Sequence, residues 1–384
     1  MINLSSLEIK NKNLVIRVDM NVPISDGKVL DTTRISACIP TINYALKNNA
    51  KILLVSHLGR PTESFFEDQF SLKPVAACLS EIINESVEIV DQPDSKKIFN
   101  STSRVQILEN IRFFKGEKDN SDELGRMLGS LGHIYVFDAF GTAHRKQAST
   151  HSAIKHASLA CAGLLLEKEN SFLSQALNVD DRPYLAVIGG AKVSTKLELI
   201  RQISNVADHI IVGGGIANTF LKASGKNIGT SLVEDSMLDV AKHILDKKSI
   251  VLPERVVTSK TFEGEAVNKK SINDVSEDEM ILDACLEQEV ISLIHSAKTI
   301  LWNGPMGVFE NIRFEEGTRE LAEAIAKSEA FSIAGGGETL SAINKYIKSD
   351  DVSYCSTGGG AFLEFMEGKV LPSIEVLNSK EIGS

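Results

Sequence analysis

Tyr184-Leu-Ala-Val-Ile-Gly-Gly-Ala-Lys-Val-Ser-Thr-Lys196 sets an unbroken apolar run against two glycines, with two lysines just beyond. A run too short for a helix, apolar on both faces and closed by glycine, reads as a parallel strand covered by crossover helices. The pattern recurs upstream at Leu14–Val18, Lys51–Ser56, Val105–Leu108 and Ile134–Phe137, and downstream at His209–Val212, Ile250–Leu252, Thr299–Trp302, Phe331–Ala334 and Val352–Cys355. Each run ends in glycine or a polar cluster and is followed by a stretch with helical spacing, so the expected fold class is α/β, with two doubly wound parallel-sheet, Rossmann-like domains. Between the two sets lies the charged, helix-prone stretch Leu164–Leu177, neither Gly/Ser-rich nor poor in apolar residues. It predicts a helical connector over 166–180, separating domains at 1–165 and 181–370 with a ligand cleft between them.

The whole composition agrees. A chain of 384 residues exceeds what one core usually supports, and 43% hydrophobic with 24% charged residues is ordinary for a globular protein. No apolar run is long enough to span a bilayer, and the start, Met1-Ile-Asn-Leu-Ser-Ser-Leu-Glu8, has no basic region followed by an apolar stretch, so cytoplasmic residence is expected. A formal charge of −10 argues against nucleic-acid or anionic-membrane partners. Cys38, Cys78, Cys161, Cys285 and Cys355 form no C-x-x-C pair and read as reduced core residues.

In open parallel sheets ligands bind beyond the carboxyl ends of the strands. The first-half strands lead into Asp19-Met-Asn-Val-Pro23, His57-Leu-Gly-Arg-Pro61, Glu109-Asn-Ile-Arg-Phe113 and Asp138-Ala-Phe-Gly-Thr-Ala-His-Arg145, and Arg34 follows in Asp31-Thr-Thr-Arg-Ile35. Neighbouring strands would gather Arg34, His57, Arg60, Arg112 and Arg145 in one region. A lone arginine usually pairs with a surface acid, but four guanidinium forks together repel one another unless an anion sits among them, and their geometry matches carboxylate and phosphate oxygens.

The second-half strands lead into Gly189–Lys196, Gly213-Gly-Gly215, Asn303-Gly-Pro-Met-Gly-Val-Phe-Glu310, Gly335-Gly-Gly-Glu-Thr339 and Ser356-Thr-Gly-Gly-Gly360. One such turn means little, but five at one sheet edge, each able to aim backbone N–H groups at an anion, suggest a nucleotide. Lys192 and Lys196, four apart, would share a face if a helix started near Lys192. No G-x-x-x-x-G-K-[ST], G-x-G-x-x-G, D-F-G with H-R-D, G-x-S-x-G or H-E-x-x-H is present, which excludes the P-loop, the dinucleotide fingerprint and several hydrolase patterns.

Arg17-Val-Asp-Met-Asn-Val-Pro23, Ser56–Pro61, Leu108–Phe113, Asp138–Arg145, Gly189–Lys196, Trp302–Phe309 and Ser356–Ala361, in this order, resemble phosphoglycerate kinases from end to end. The resemblance implies an amino-terminal domain binding 3-phosphoglycerate or 1,3-bisphosphoglycerate through Asp19, Met20, Asn21, Arg34, His57, Leu58, Gly59, Arg60, Arg112 and Arg145. It implies a carboxyl-terminal domain binding MgADP or MgATP through Gly190, Ala191, Lys192, Lys196, Gly213, Asn303, Pro305, Gly307, Val308, Glu310, Gly336, Gly337, Glu338 and Thr339. It further implies a monomer whose tail, 371–384, returns to the first domain. Glu338, where the family usually has Asp, is the expected magnesium residue, and Phe137, where asparagine is common, is expected only to pack.

The reaction so implied is in-line transfer of an acyl phosphate to ADP, with domain closure and no phosphoenzyme. Arg34 and Lys192 would stabilise the equatorial oxygens, and the N–H groups of Gly358, Gly359 and Gly360 would receive the moving charge. The competing classes, a two-domain nicotinamide dehydrogenase and a non-enzymatic anion-binding protein, lack respectively the glycine fingerprint and an export signal.

Overall fold

Burial decides where strands form. In the computed structural model, which describes residues 1–93, 98–177, 180–246, 250–264 and 266–382, the apolar runs are strands with nearly every side chain enclosed. The chain divides into two compact units, Met1–Ser171 with Val370–Ser384, and Phe172–Lys369.

In the first unit the strands are β1 (Asn13–Val18), β2 (Ile24–Ser25), β3 (Lys28–Val29), β4 (Lys51–Val55), β5 (Val87–Val90), β6 (Val105–Leu108), β7 (Ile134–Asp138) and β8 (Ala160–Ala162). Its helices are α1 (Thr33–Lys47), α2 (Lys73–Ile83), α3 (Asp122–Ser130), α4 (Ala153–His156) and α5 (Leu164–Ala176), which continues into the second unit. Six strands form an all-parallel sheet ordered β5-β6-β4-β1-β7-β8, and β2 and β3 make a separate hairpin. Connections run outward from β1 first to β4 and later to β7, so strand order reverses at the ends of β1 and β7, where Asp19 and the segment after Asp138 emerge.

The second unit holds β9 (Tyr184–Ile188), α6 (Leu197–Ile203), β10 (His209–Val212), α7 (Gly214–Ala223), α8 (Leu238–Leu245), β11 (Ile250–Val251), β12 (Arg255–Ser259), β13 (Asn268–Ser271), β14 (Met280–Ala284), α9 (Gln288–Ser296), β15 (Thr299–Asn303), α10 (Glu316–Ala326), β16 (Phe331–Gly335), α11 (Gly337–Tyr346), β17 (Tyr354–Ser356) and α12 (Gly359–Met366). Its parallel sheet runs β11-β10-β9-β15-β16-β17, so the switch lies between β9 and β15. A final helix, α13 (Pro372–Ile382), belongs to the first unit.

Several sequence expectations need adjustment. The connector helix begins at Leu164 and ends at Ala176, and the unit boundary falls inside it; positions 178–179 of the expected 166–180 span, and 383–384 of the expected tail, lie outside the described residues. An antiparallel sheet, β13-β12-β14, was not anticipated, because Asn268-Lys-Lys-Ser271 is polar and mostly exposed and offers no apolar run. Cys38, Cys161 and Cys285 are buried, but Cys78 and Cys355 are only half-buried. Phe137 is fully enclosed and does pack.

Candidate active site

In the first unit the site is assembled where β1, β4, β6 and β7 end. Asn21, His57, Gly59, Arg60, Arg112, Arg145 and Gln147 line a cavity of about 410 Å³, and none of them is acidic. Arg112 is carried by a short 3-10 turn, Ile111–Phe113, after β6. Asn110 fixes that turn: its carbonyl oxygen accepts from the Arg112 and Leu58 N–H groups at 3.1 and 3.2 Å, and its amide donates to Leu58 and Phe70 carbonyls at 2.7 and 2.9 Å. Asn21 accepts from Gly59 N–H at 2.9 Å, and Met20 N–H donates to Ser56 at 2.9 Å, tying the β1 and β4 ends together. Met20 and Leu58 are buried, so they serve this loop packing.

Arg34, at the start of α1, pairs with Asp19 at 2.8 Å and stays 38% exposed, so it is tethered yet open to solvent. Beneath the cavity lies a layer the sequence reading missed. Arg17, enclosed within β1, donates from Nε to Ser149 Oγ at 2.9 Å and approaches His57 Nδ1 at 3.4 Å. Glu117, also enclosed, accepts from the Ser149 N–H and hydroxyl at 2.9 and 2.5 Å. A guanidinium has only donors, so His57 Nδ1 accepts and its proton sits on Nε2. Burial, with Arg17, Arg112, Arg145 and Arg34, holds His57 well below the usual imidazole range, so it is a neutral donor at pH 7.

The arginines also sense one another. Burial, then Arg145 and Arg17, push Arg112 down to about 10, with Glu117 opposing. Burial likewise lowers Arg145, opposed by Asp19. The buried Arg112 Nε has no hydrogen-bond partner in the protein. A pocket with excess positive charge and an unanswered donor is complementary to a small polyanion. Gln147 was missed because it lies two residues beyond the arginine that ends its motif. Arg17 was missed because it stands inside an apolar run; an arginine at such a position is itself the signal.

In the second unit the glycine turns meet at the β9/β15 switch. A Cβ on Gly189 would stand 1.9 Å from the Pro305 carbonyl oxygen, and one on Gly213 would stand 2.5 Å from it. Gly190 has φ +135° and Gly336 φ +99°, conformations that L side chains rarely adopt. Lys196 Nζ donates to the Gly189 carbonyl and to the Asn303 carbonyl at 3.1 Å. Burial pushes this ammonium down to about 8, with Glu338 opposing. Asn303 donates to Gly335 O at 2.7 Å and leaves its buried Oδ1 without a partner.

The loop after β15, carrying Pro305, Gly307 and Val308, is held by bonds that include Gly304 N–H to Thr339 at 2.8 Å, Met306 N–H to Thr318 at 3.1 Å, Val308 N–H to the Leu282 carbonyl at 2.8 Å and Gly214 N–H to the Met306 carbonyl at 2.8 Å. Buried Thr339 therefore serves the loop, while Ala191, Lys192, Glu310, Gly337 and Glu338 are exposed. Two expectations change. Helix α6 starts at Leu197, so Lys192 and Lys196 do not share a helical face. Of the three glycines opening α12, Gly358 already gives its N–H to Ser356 Oγ at 3.2 Å. Gly359 and Gly360 lie in the first turn of α12, where N–H groups lack intrahelical acceptors.

Among the described residues no group of three or more His, Cys, Asp or Glu side chains could hold a metal. Glu338, exposed at the start of α11 with its charge felt at Lys196, is a single carboxylate of the kind that could share Mg²⁺ with nucleotide phosphates.

A basic pocket on one doubly wound unit and a glycine-lined switch point on another are the equipment of a phosphotransferase acting on small anions. The phosphoglycerate kinase family profile matches residues 4–369, and this chain belongs to that family. It is similar to the phosphoglycerate kinases of Vibrio campbellii, 47% identical over 382 residues with 99% of each chain covered, and of Francisella philomiragia, 48% identical over 391 residues with 99% of this chain and 98% of that one covered. Among solved structures, phosphoglycerate kinase from Coxiella burnetii superimposes with a TM-score of 0.93 at 44% identity, covering 99% of both chains. The enzyme from Pyrococcus horikoshii gives 0.82 at 32%, covering 98% of both. The chain is thus a glycolytic kinase, a phosphotransferase with a carboxyl group as acceptor that takes ADP or ATP as co-substrate.

Proposed function

We propose that the chain moves the acyl phosphate of 1,3-bisphosphoglycerate reversibly to ADP, giving 3-phosphoglycerate and ATP by direct in-line transfer. The observation that carries this reading is the cavity with Arg60, Arg112, Arg145, neutral His57 and no acidic lining residue, a match for the acid substrate's phosphate and carboxylate. Asp19, Asn21 and Arg34 complete the acid set.

Nucleotide phosphates are assigned to Lys196, Lys192 and the Gly336–Glu338 turn, and base and ribose to Gly213 and the Asn303–Glu310 loop. Arg34 and Lys192 stabilise charge on the transferring group, while Gly359 and Gly360 N–H groups orient it. Glu338 would hold Mg²⁺ with the nucleotide phosphates; a bound Mg²⁺ neutralises phosphate charge. Closure of the two units is assigned the task of aligning the substrates and excluding water. The chain is proposed to act as a cytoplasmic monomer without nucleic-acid or membrane partners; among the described residues no helix is long and apolar enough to cross a membrane.

A coupled assay for ATP formation from ADP and 1,3-bisphosphoglycerate tests the reading. Turnover that requires both substrates and Mg²⁺ is expected, and its absence from folded protein overturns the proposal.

A further inference from the structure

Asp283 belongs to no motif of the reaction, yet it is a carboxylate enclosed in the second unit's core, 1% exposed, at the β14 strand. One carboxylate oxygen accepts from Gly317 N–H at 2.8 Å, in the first turn of α10, and the other from Ala284 N–H at 3.0 Å. Two glycines lie flush against it: a Cβ on Gly307 would stand 2.5 Å, and one on Gly317 2.7 Å, from Asp283 Oδ1. Gly307 belongs to the loop assigned to base and ribose.

Two of that loop's anchors run to the same shoulder. Thr318, beside the Gly317 that Asp283 holds, receives Met306 N–H, and Leu282, beside Asp283 itself, receives Val308 N–H. We propose that Asp283 is a positioning residue for the nucleotide site, setting where the Met306–Val308 backbone stands by fixing the start of α10 and by filling the space against Gly307. Burial pushes the Asp283 carboxyl up to about 7, the Gly317 and Ala284 N–H groups oppose that rise, and the two glycines leave the side chain its room. The inference rests on assigning the Asn303–Glu310 loop to the nucleotide, and it extends that site to β14.

The test compares Asp283→Ala and Asp283→Asn with the unaltered full chain in steady-state kinetics and in calorimetric MgADP binding. Asp283→Ala removes both acceptors and should raise KM and Kd for MgADP roughly 5–20-fold, with kcat and the KM for 1,3-bisphosphoglycerate within about twofold. Asp283→Asn keeps one acceptor and should recover most of the affinity. An Asp283→Ala protein that folds with unaltered MgADP affinity, or that loses kcat and acid-substrate KM equally, overturns the proposal.

Should Asp283→Ala fail to fold, Thr318→Val removes a clamp on the same shoulder. It should raise the MgADP KM at least about threefold, with Thr318→Ser restoring it; no change again overturns the proposal. Lys196→Gln separates the underlying assignment. If it weakens MgADP while the Asp283 and Thr318 variants do not, the positioning role fails alone. If none of the three alters MgADP binding, the nucleotide assignment has failed as well.

Discussion

Arg34 and Lys196 are both assigned to phosphate, but they stand in different surroundings. Arg34 is tethered to Asp19 at 2.8 Å and partly exposed, free to follow charge as it develops. Arg34→Ala is therefore expected to lower kcat by a factor on the order of 10²–10³. A normal kcat with only a raised KM would remove it from the transition state.

Lys196 is half-buried, and desolvation pushes its ammonium down to about 8. A bound phosphate favours its charged form, so nucleotide binding should take up a proton as pH rises past about 8, and affinity should fall there. Calorimetry in buffers of different ionisation enthalpy reads that uptake, and Lys196→Gln should abolish it. Glu338→Asp should keep activity with a shifted magnesium dependence, and an unmoved magnesium titration would take Glu338 out of the metal's surroundings. At this scale the strand-end residues were legible, because polar groups after apolar runs can only be at the sheet edge. Glu117 and Asp283 were not, because their partners are brought together only by the tertiary fold, and Arg17 showed only as a charge out of place in an apolar run.

At the scale of elements, most parallel strands were readable from their continuous apolar runs, but β5, half-buried and broken by Glu88, and the three-residue β8 were not. The antiparallel β13-β12-β14 sheet was not, since β13 is polar and pairing rather than burial defines it. The helix after Gly189 starts later than lysine spacing suggested, because the chain makes a turn over 194–196 before α6. The turns themselves are tightly constrained. Gly189→Ala places a methyl 1.9 Å from the Pro305 carbonyl oxygen, backbone that cannot swing aside. It should destabilise the second unit by about 2–4 kcal/mol, read as a lowered denaturant midpoint, and unchanged stability would show that β9 and β15 can separate there.

For the whole molecule, the first unit is discontinuous in sequence. Its last helix, α13, buries Leu377 and Val376, takes Ser373 N–H to the Ala143 carbonyl at 3.2 Å and sets Lys380 Nζ on the Ala157 carbonyl at 2.7 Å. Ala143 lies two residues before Arg145, so α13 braces the segment that carries an arginine of the acid site. Truncation after Lys369 should lower the melting of the first unit and weaken 3-phosphoglycerate binding about tenfold or more, leaving unfolding of Phe172–Lys369 unaltered. Differential scanning calorimetry with and without 3-phosphoglycerate would detect both effects, and intact binding in the truncated protein would free Arg145 from that brace.

The same discontinuity has a bearing on biosynthesis. A ribosome delivers residues 370–382 only after all of Phe172–Lys369, so the lobe begun first is finished last. Until that segment emerges, the faces of α4 and β8 that α13 covers stay open, for as long as the intervening two hundred or so codons take to translate, about 10–40 s at cellular elongation rates.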